Sequence, residues 1–281
     1  MVVNAVSMGM PDQLETTMTD RADHAIKVLR SELDELAALV GGFGPDDLAR
    51  QSGAAEWDVS QVLSHLGSGA EISLAALEGA SRGTGSPDFD FIKGVWARWD
   101  GMSRAQRAEE VISANEALVG RFEGLDPKTR EDLRVELWFP AEAPDVAGFA
   151  AMRLSEFTHH LWDVKVAFDP AATLTAEALD LLIAGGDAFV GFLGKPEGLG
   201  GRHATVAVHT TSPERSFGLD VREAVAVVDV PSEPDAVLTA PAEWWLRLVS
   251  GRHAPEHTPA AVEITGDAVT LDDLRKVFPG F

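Results

Sequence analysis

Apolar residues recur at helical spacing through the first part of the chain. Ile26, Leu29, Leu33, Leu36 and Val40 mark one face of a helix that begins near Arg21 and stops at Gly41-Gly42. Asp58, followed three residues later by Gln61, is a helix-capping pair. Beyond it Val62, Leu63, Leu66, Ile72, Leu74 and Leu77 form a second apolar face as far as Ala80. A third helical region runs from about Asp90 to Gly124, with another capping pair at Ser103 and Gln106 and a break near Gly101. A fourth begins near Asp145 and reaches about Phe168. The connection before it, Asp126 to Pro144, reads as a loop, extended from Leu133 to Phe139; Phe139-Pro140 and Ala143-Pro144 exclude helix there. Four long amphipathic segments predict an antiparallel bundle.

After Asp169-Pro170-Ala171-Ala172, which reads as a linker, one more helix is expected from Thr175 to Leu193. The period then changes to two. Ala204 to Thr210, Phe217 to Val221, Ala224 to Val230 and Val262 to Thr265 read as strands, and 241–249 and 271–277 as helices. The fold class expected is α + (α+β): a frayed N-terminus over 1–19, a four-helix bundle over 20–168, and a small α+β domain with a mostly antiparallel sheet over 169–281.

Composition narrows the chemistry. A formal net charge of -22 over 281 residues repels phosphate backbones and anionic membranes, so neither nucleic acid nor a membrane is an expected partner. No Cys is present, so a thiolate ligand or nucleophile would have to come from a small molecule; Tyr is absent as well. The N-terminus lacks the basic region and long apolar stretch of a signal peptide, and no apolar run could span a bilayer. A cytoplasmic monomer or homodimer is expected.

The run from Arg153 to Asp163 concentrates reactive side chains. Glu156 and His160 are four residues apart, so on a helix they stack on one face and can grip one metal ion. Asp163 returns to that face, where it can receive the other ring N–H of His160. His159 lies about 100° round the helix and should point elsewhere. A polar stripe on a surface helix would show the same spacing. His65, set among apolar neighbours on the second helix, reads either as a core histidine or as the third ligand of an open site. His24 reads as structural or solvated. Arg98, between Trp96 and Trp99, is expected either to stack on an indole or to bind substrate.

With these residues placed, the chain resembles the mycothiol-dependent maleylpyruvate isomerase family, which joins a DinB-like four-helix bundle to a small sterol-carrier-protein-like domain. The resemblance rests on Trp57 to Leu66, on Arg153 to Asp163, and on Pro234 to Thr239, Ser250-Gly251-Arg252 and Thr265-Gly266-Asp267. It implies a divalent metal, most often zinc, held by His65, Glu156 and His160, and mycothiol as cofactor or co-substrate. It also implies that Arg98 and Arg252 bind the thiol or substrate and take part in catalysis, with Asp163 behind His160. The activity expected is a metal-dependent thiol S-transferase or isomerase acting on a small, anionic electrophile. S-transfer is favoured over isomerisation because conjugation needs less specialised substrate recognition. The alternatives are a non-catalytic ligand-binding protein on the same scaffold and a metal hydrolase.

Overall fold

The structure, a computed structural model, describes residues 18–137 and 142–280. The expected frayed segment 1–19 lies almost wholly outside the described residues, as do Phe139-Pro140. The helices are α1 (Met18–Val40), α2 (Pro45–Leu48), α3 (Val59–Arg82), α4 (Phe89–Asp100), α5 (Arg104–Glu123), α6 (Pro127–Asp132), α7 (Val146–Val166), α8 (Ala176–Ala184), α9 (Asp187–Leu193), α10 (Ala242–Val249) and α11 (Leu271–Val277). The strands are β1 (Ala204–Thr211), β2 (Arg215–Val221), β3 (Val225–Val228), β4 (Ala236–Pro241) and β5 (Glu263–Thr265).

The helix starts follow from their caps. Asp58 accepts from the Gln61 amide at 2.8 Å while Gln61 accepts from the Asp58 amide at 2.9 Å, and Ser103 with Gln106 repeats the pattern. Asp145 accepts from the Gly148 amide at 2.7 Å and opens α7. Leu29, Leu33 and Leu36 of α1, Leu63 and Leu66 of α3, Phe122 of α5 and Phe157 of α7 are buried together. In this helical region α1 packs on α7 and α5, and α3 packs on α5, α4 and α7.

The sheet is mixed, in the order β3-β2-β1-β4-β5. β1 pairs antiparallel with β2 and parallel with β4; the other two pairings are antiparallel. β4 is a strand that alternation does not reveal: Pro234 and Pro241 bracket it, and buried Ala236, Leu238 and Ala240 leave only Val237 and Thr239 to alternate. β3 ends at Val228 rather than Val230, and Val228 and Val230 are exposed where pairing stops. The single helix expected from Thr175 to Leu193 is two, α8 and α9, because Gly185-Gly186 interrupts it. The third helical region is likewise split at Gly101. Among the described residues no helix is long and apolar enough to cross a membrane.

Candidate metal centre

His65 projects from α3 and Glu156 and His160 from α7, where the two helices touch. His65 Nε2 lies 3.2 Å from Glu156 Oε2, and His160 Nε2 lies 3.8 Å from the same oxygen. One donor atom from each of the three falls within 4.8 Å of the others. A tetrahedral ion with bonds of about 2.1 Å needs donors about 3.4 Å apart; the 3.2 and 3.8 Å separations bracket that value, so the three groups could hold a metal ion and would leave a fourth position for another ligand. The charge pattern agrees. Burial alone would raise the Glu156 carboxyl, but the hydrogen bond from His65 and the charges of His160, His65 and Arg153 outweigh it and hold it below the ordinary carboxylate range. Burial lowers His160, which favours the neutral imidazole a metal requires.

Behind His160 stands Asp163, fully buried. Nδ1 of His160 donates to Asp163 Oδ2 at 2.8 Å, which leaves the Nε2 lone pair facing Glu156. Asp163 also takes both arms of Arg252, Nε at 2.9 Å and Nη2 at 2.6 Å. Burial acts to raise the Asp163 carboxyl; the Arg252 charge and the His160 hydrogen bond bring it down instead, to about 2. Arg252 can reach across because Gly251 is left-handed (φ 79°), and a Cβ there would lie 2.4 Å from Gly280 Cα. Its Nη1 donates to Ser250 O at 3.2 Å, so the same side chain also closes the end of α10.

The loop before α3 seals the other side. Gly53 donates to the Asp163 carbonyl at 2.8 Å, and any Cβ there would meet Trp162, Val166 and Asp163 within 2.9 Å. Gln51 and Ser52 side chains donate to the Trp57 carbonyl. Trp57 is thereby held against both histidines, with ring centroids 5.2 Å from His65 and 6.0 Å from His160.

The centre opens into a cavity of about 780 Å³ that extends to α8, α9, the sheet and α10. His65, Glu156, His160 and Arg252 line it; Arg98 is not part of its lining. Arg98 pairs with Glu71 on α3, and its guanidinium sits 5.9 Å from the Trp99 ring centre. His159, expected to point elsewhere, lines the cavity too, because the cavity wraps around the side of α7. Its Nδ1 donates to Ser155 O at 2.7 Å, so Nε2 is an acceptor, buried and unpartnered. Burial, then the Arg252 charge, lowers His159 to about 4.

Three side chains around the centre are given no role by the sequence. Trp57 could have been flagged as an aromatic directly before a capping Asp. Arg153, buried with Nε and Nη2 unpartnered, supplies positive charge to Glu156 one turn away. Arg247 is buried with Glu243 and lies 4.8 Å over the Trp162 ring, joining α10 to α7; an i, i+4 Glu–Arg pair gives no sign that it is buried.

Residues 29–165 match the family profile described as mycothiol maleylpyruvate isomerase N-terminal domain. Two solved structures resemble the fold. The first, described as the crystal structure of the mycothiol-dependent maleylpyruvate isomerase, has 11% identity and a TM-score of 0.61, with 87% of this chain and 92% of that one covered. The second, a histidine-to-alanine variant of such an enzyme, has 10% identity, a TM-score of 0.61 and the same coverage. No curated protein matches the sequence significantly.

Proposed function

The helical region of this chain belongs to the mycothiol maleylpyruvate isomerase N-terminal domain family, and from that premise we propose that the protein is a metal- and mycothiol-dependent S-transferase or isomerase. In this reading 20–168 is a DinB-like antiparallel four-helix bundle and 169–281 a small sterol-carrier-protein-like domain. The packing of α1 on α7 and of α3 on α5 and α7 supports the first assignment. The observation that carries the function is the convergence of His65, Glu156 and His160 within 4.8 Å at one end of a large cavity.

His65, Glu156 and His160 would hold a divalent ion, zinc by its donor set. When bound, such an ion lowers the pKa of a thiol placed on its open position and so makes thiolate available near neutral pH. The chain's own residues do the rest. Asp163 fixes the His160 tautomer and aims Nε2 at the ion. Glu156, kept ionised, offsets the cation charge. Arg252, anchored by both arms on Asp163 at the cavity wall, holds that carboxylate in place and leaves a positive potential at this end of the cavity. The attacking sulfur forms one S–C bond; the displaced electron pair moves onto the electrophile, which then takes a proton. If the sulfur stays, the outcome is S-transfer, the one we favour; if, after rotation about the bond made single, the adduct gives the proton back and the electron pair re-forms the double bond as the sulfur leaves, the outcome is isomerisation.

Purified protein should carry stoichiometric zinc or a similar divalent metal and should consume an electrophile only when mycothiol is supplied. Thiol-independent ester or amide cleavage would instead indicate a hydrolase. Protein without metal, and without thermal stabilisation by added zinc, would indicate a binding protein.

A further inference from the structure

The cavity has two ends of opposite chemistry. Its ionisable side chains, among them His65, Glu156, His160 and Arg252, lie outside the stretch from Leu182 to Val249 among the described residues. Among the described residues, the lining from Leu182 to Val249 holds no charged side chain. That wall is built from Leu182 and Ile183 of α8, Val190 of α9, Phe217 of β2, Val227 of β3 and Trp245 of α10. Phe217 and Trp245 meet edge to face at 5.2 Å and set its floor.

We propose that the electrophile handled here carries an extended apolar body, an alkyl or alkyl-aromatic tail, which fills this chamber while its reactive carbon reaches the His65–Glu156–His160 end. The inference rests on the reading of that end as the reaction centre and replaces the small anionic electrophile with an amphiphile. Three observations carry it. An apolar chamber gives a carboxylate nothing to pair with, and burying an unpaired charge is costly. The two arginines that sequence assigns to anionic substrates already have carboxylate partners: Arg252 is bound in two-armed fashion by Asp163, and Arg98 by Glu71 outside the lining. A cavity of about 780 Å³ lies in the range that encloses a drug-sized ligand, far more than a short diacid needs. A hydrophilic thiol gains nothing from such walls, which leaves the electrophile as their occupant. The class that combines a soft electrophilic carbon with a tail of this kind is the long-chain α,β-unsaturated carbonyl compound.

The test separates the chamber from the chemistry. Straight-chain methyl ketones, unreactive toward thiols, are titrated calorimetrically into the intact protein with no mycothiol present, from hexanone to dodecanone. Affinity should rise about fourfold per added methylene until the chamber is full, the increment expected for burying one CH₂. Ile183→Trp, which fills space without adding charge, and Val227→Glu, which adds charge, should each flatten that rise. His65→Ala should leave it intact. An affinity independent of chain length, or a rise that survives both chamber variants, overturns the proposal. If the rise is found and thiol-dependent turnover is not, the chamber stands and the reaction reading fails. If short dicarboxylates turn over with mycothiol and ketone affinity is flat, the reaction reading stands and the amphiphile is wrong.

Discussion

The metal end and the apolar end of one cavity are built in different ways. At the end that carries the candidate metal site two helices supply all three candidate donors, and two of the three are a single turn apart on α7. Helix geometry alone brings Glu156 and His160 together, and only His65 must arrive from elsewhere. The apolar end draws its wall from α8, α9, β2, β3 and α10, and among the described residues none of these contributes a charged side chain to it. The first end has fixed geometry and would be disabled by one lost atom. The second has only shape and hydrophobicity, which many side chains share. Chemistry is therefore concentrated in few residues, whereas the choice of substrate is spread over many.

The largest effect should come from His65→Ala. Its side chain is 39% exposed, so the fold should lose little, within about 0.5 kcal/mol. Metal should be lost altogether. Thiol-dependent turnover should fall by more than about 100-fold, since even partners behind the ligands cost about 10–100-fold. Elemental analysis and a melting curve on the same sample check both halves. Stoichiometric metal in the folded variant would remove the centre from this site.

Asp163→Asn should strike two partners at the metal end at once. The change leaves His160 with a weaker acceptor and leaves the partly buried Arg252 without its counter-charge. Breaking a buried pair from one side costs about 3–5 kcal/mol. Asn keeps one acceptor, so the lower value applies, and the melting temperature should drop by roughly 6–12 °C. Metal affinity should fall about 10–100-fold. Arg252→Met should cost similar stability but keep the metal, because His160 still has its carboxylate. In the double variant the two stability losses should add to clearly less than their sum. Additive losses would mean that the pair does not join α7 to the end of α10.

The unequal legibility of the two ends follows from the same construction. Glu156, His160 and Asp163 are readable because a single periodicity relates them, and the caps at Asp58, Ser103 and Asp145 are readable because they are local. The split at Gly185-Gly186 was not read, although its glycines are visible, because the apolar periodicity continues through it. β4 is hard to read from sequence because its hydrogen-bond partners β1 and β5 are remote in the chain and its own apolar–polar alternation is faint. His159 was misplaced because helical phase gives a direction but not the extent of a cavity. The apolar chamber left no sequence sign at all: Leu182, Phe217 and Trp245 look like ordinary core residues until their neighbours are known.

Arg247 separates stability from chemistry. It is fully buried, donates to both Glu243 oxygens at 2.7 and 2.9 Å and to the His257 carbonyl at 3.0 Å, and stacks over Trp162. Arg247→Met should destabilise by about 3 kcal/mol, because Glu243 is left buried and unpaired, with metal content and turnover per folded molecule unchanged. Adding Glu243→Leu should recover most of the loss. Changed metal content in either protein would show that this contact reaches the centre.

The smallest effect on the centre is expected from Glu32→Gln, on the face of α7 away from the ligands. Glu32 is fully buried in α1 and accepts from the Thr158 hydroxyl at 2.9 Å. Burial raises its carboxyl to about 7, against the opposing hydrogen bonds from Thr175 and Thr158. The sign of the linkage follows. Below the ordinary value of 4.5 the group is protonated in both folded and unfolded chains and costs nothing. As pH rises from 4.5 toward 7, the unfolded chain ionises and the folded one resists, so stability is lost across that window; above it the loss is complete. Gln has nearly the same shape and does not titrate. Its spare amide hydrogens add a cost that is the same at every pH. The difference in melting temperature between Glu32→Gln and the parent should therefore shift in the variant's favour between pH 5 and pH 8, by several degrees if each unit of separation is worth about 1.4 kcal/mol. Metal content and turnover should match the parent throughout, since Thr158 faces α1 while Glu156 and His160 face the cavity. Parallel melting curves across that range would show that Glu32 is solvated like an ordinary carboxylate. A change in turnover would show that the two faces of α7 are coupled.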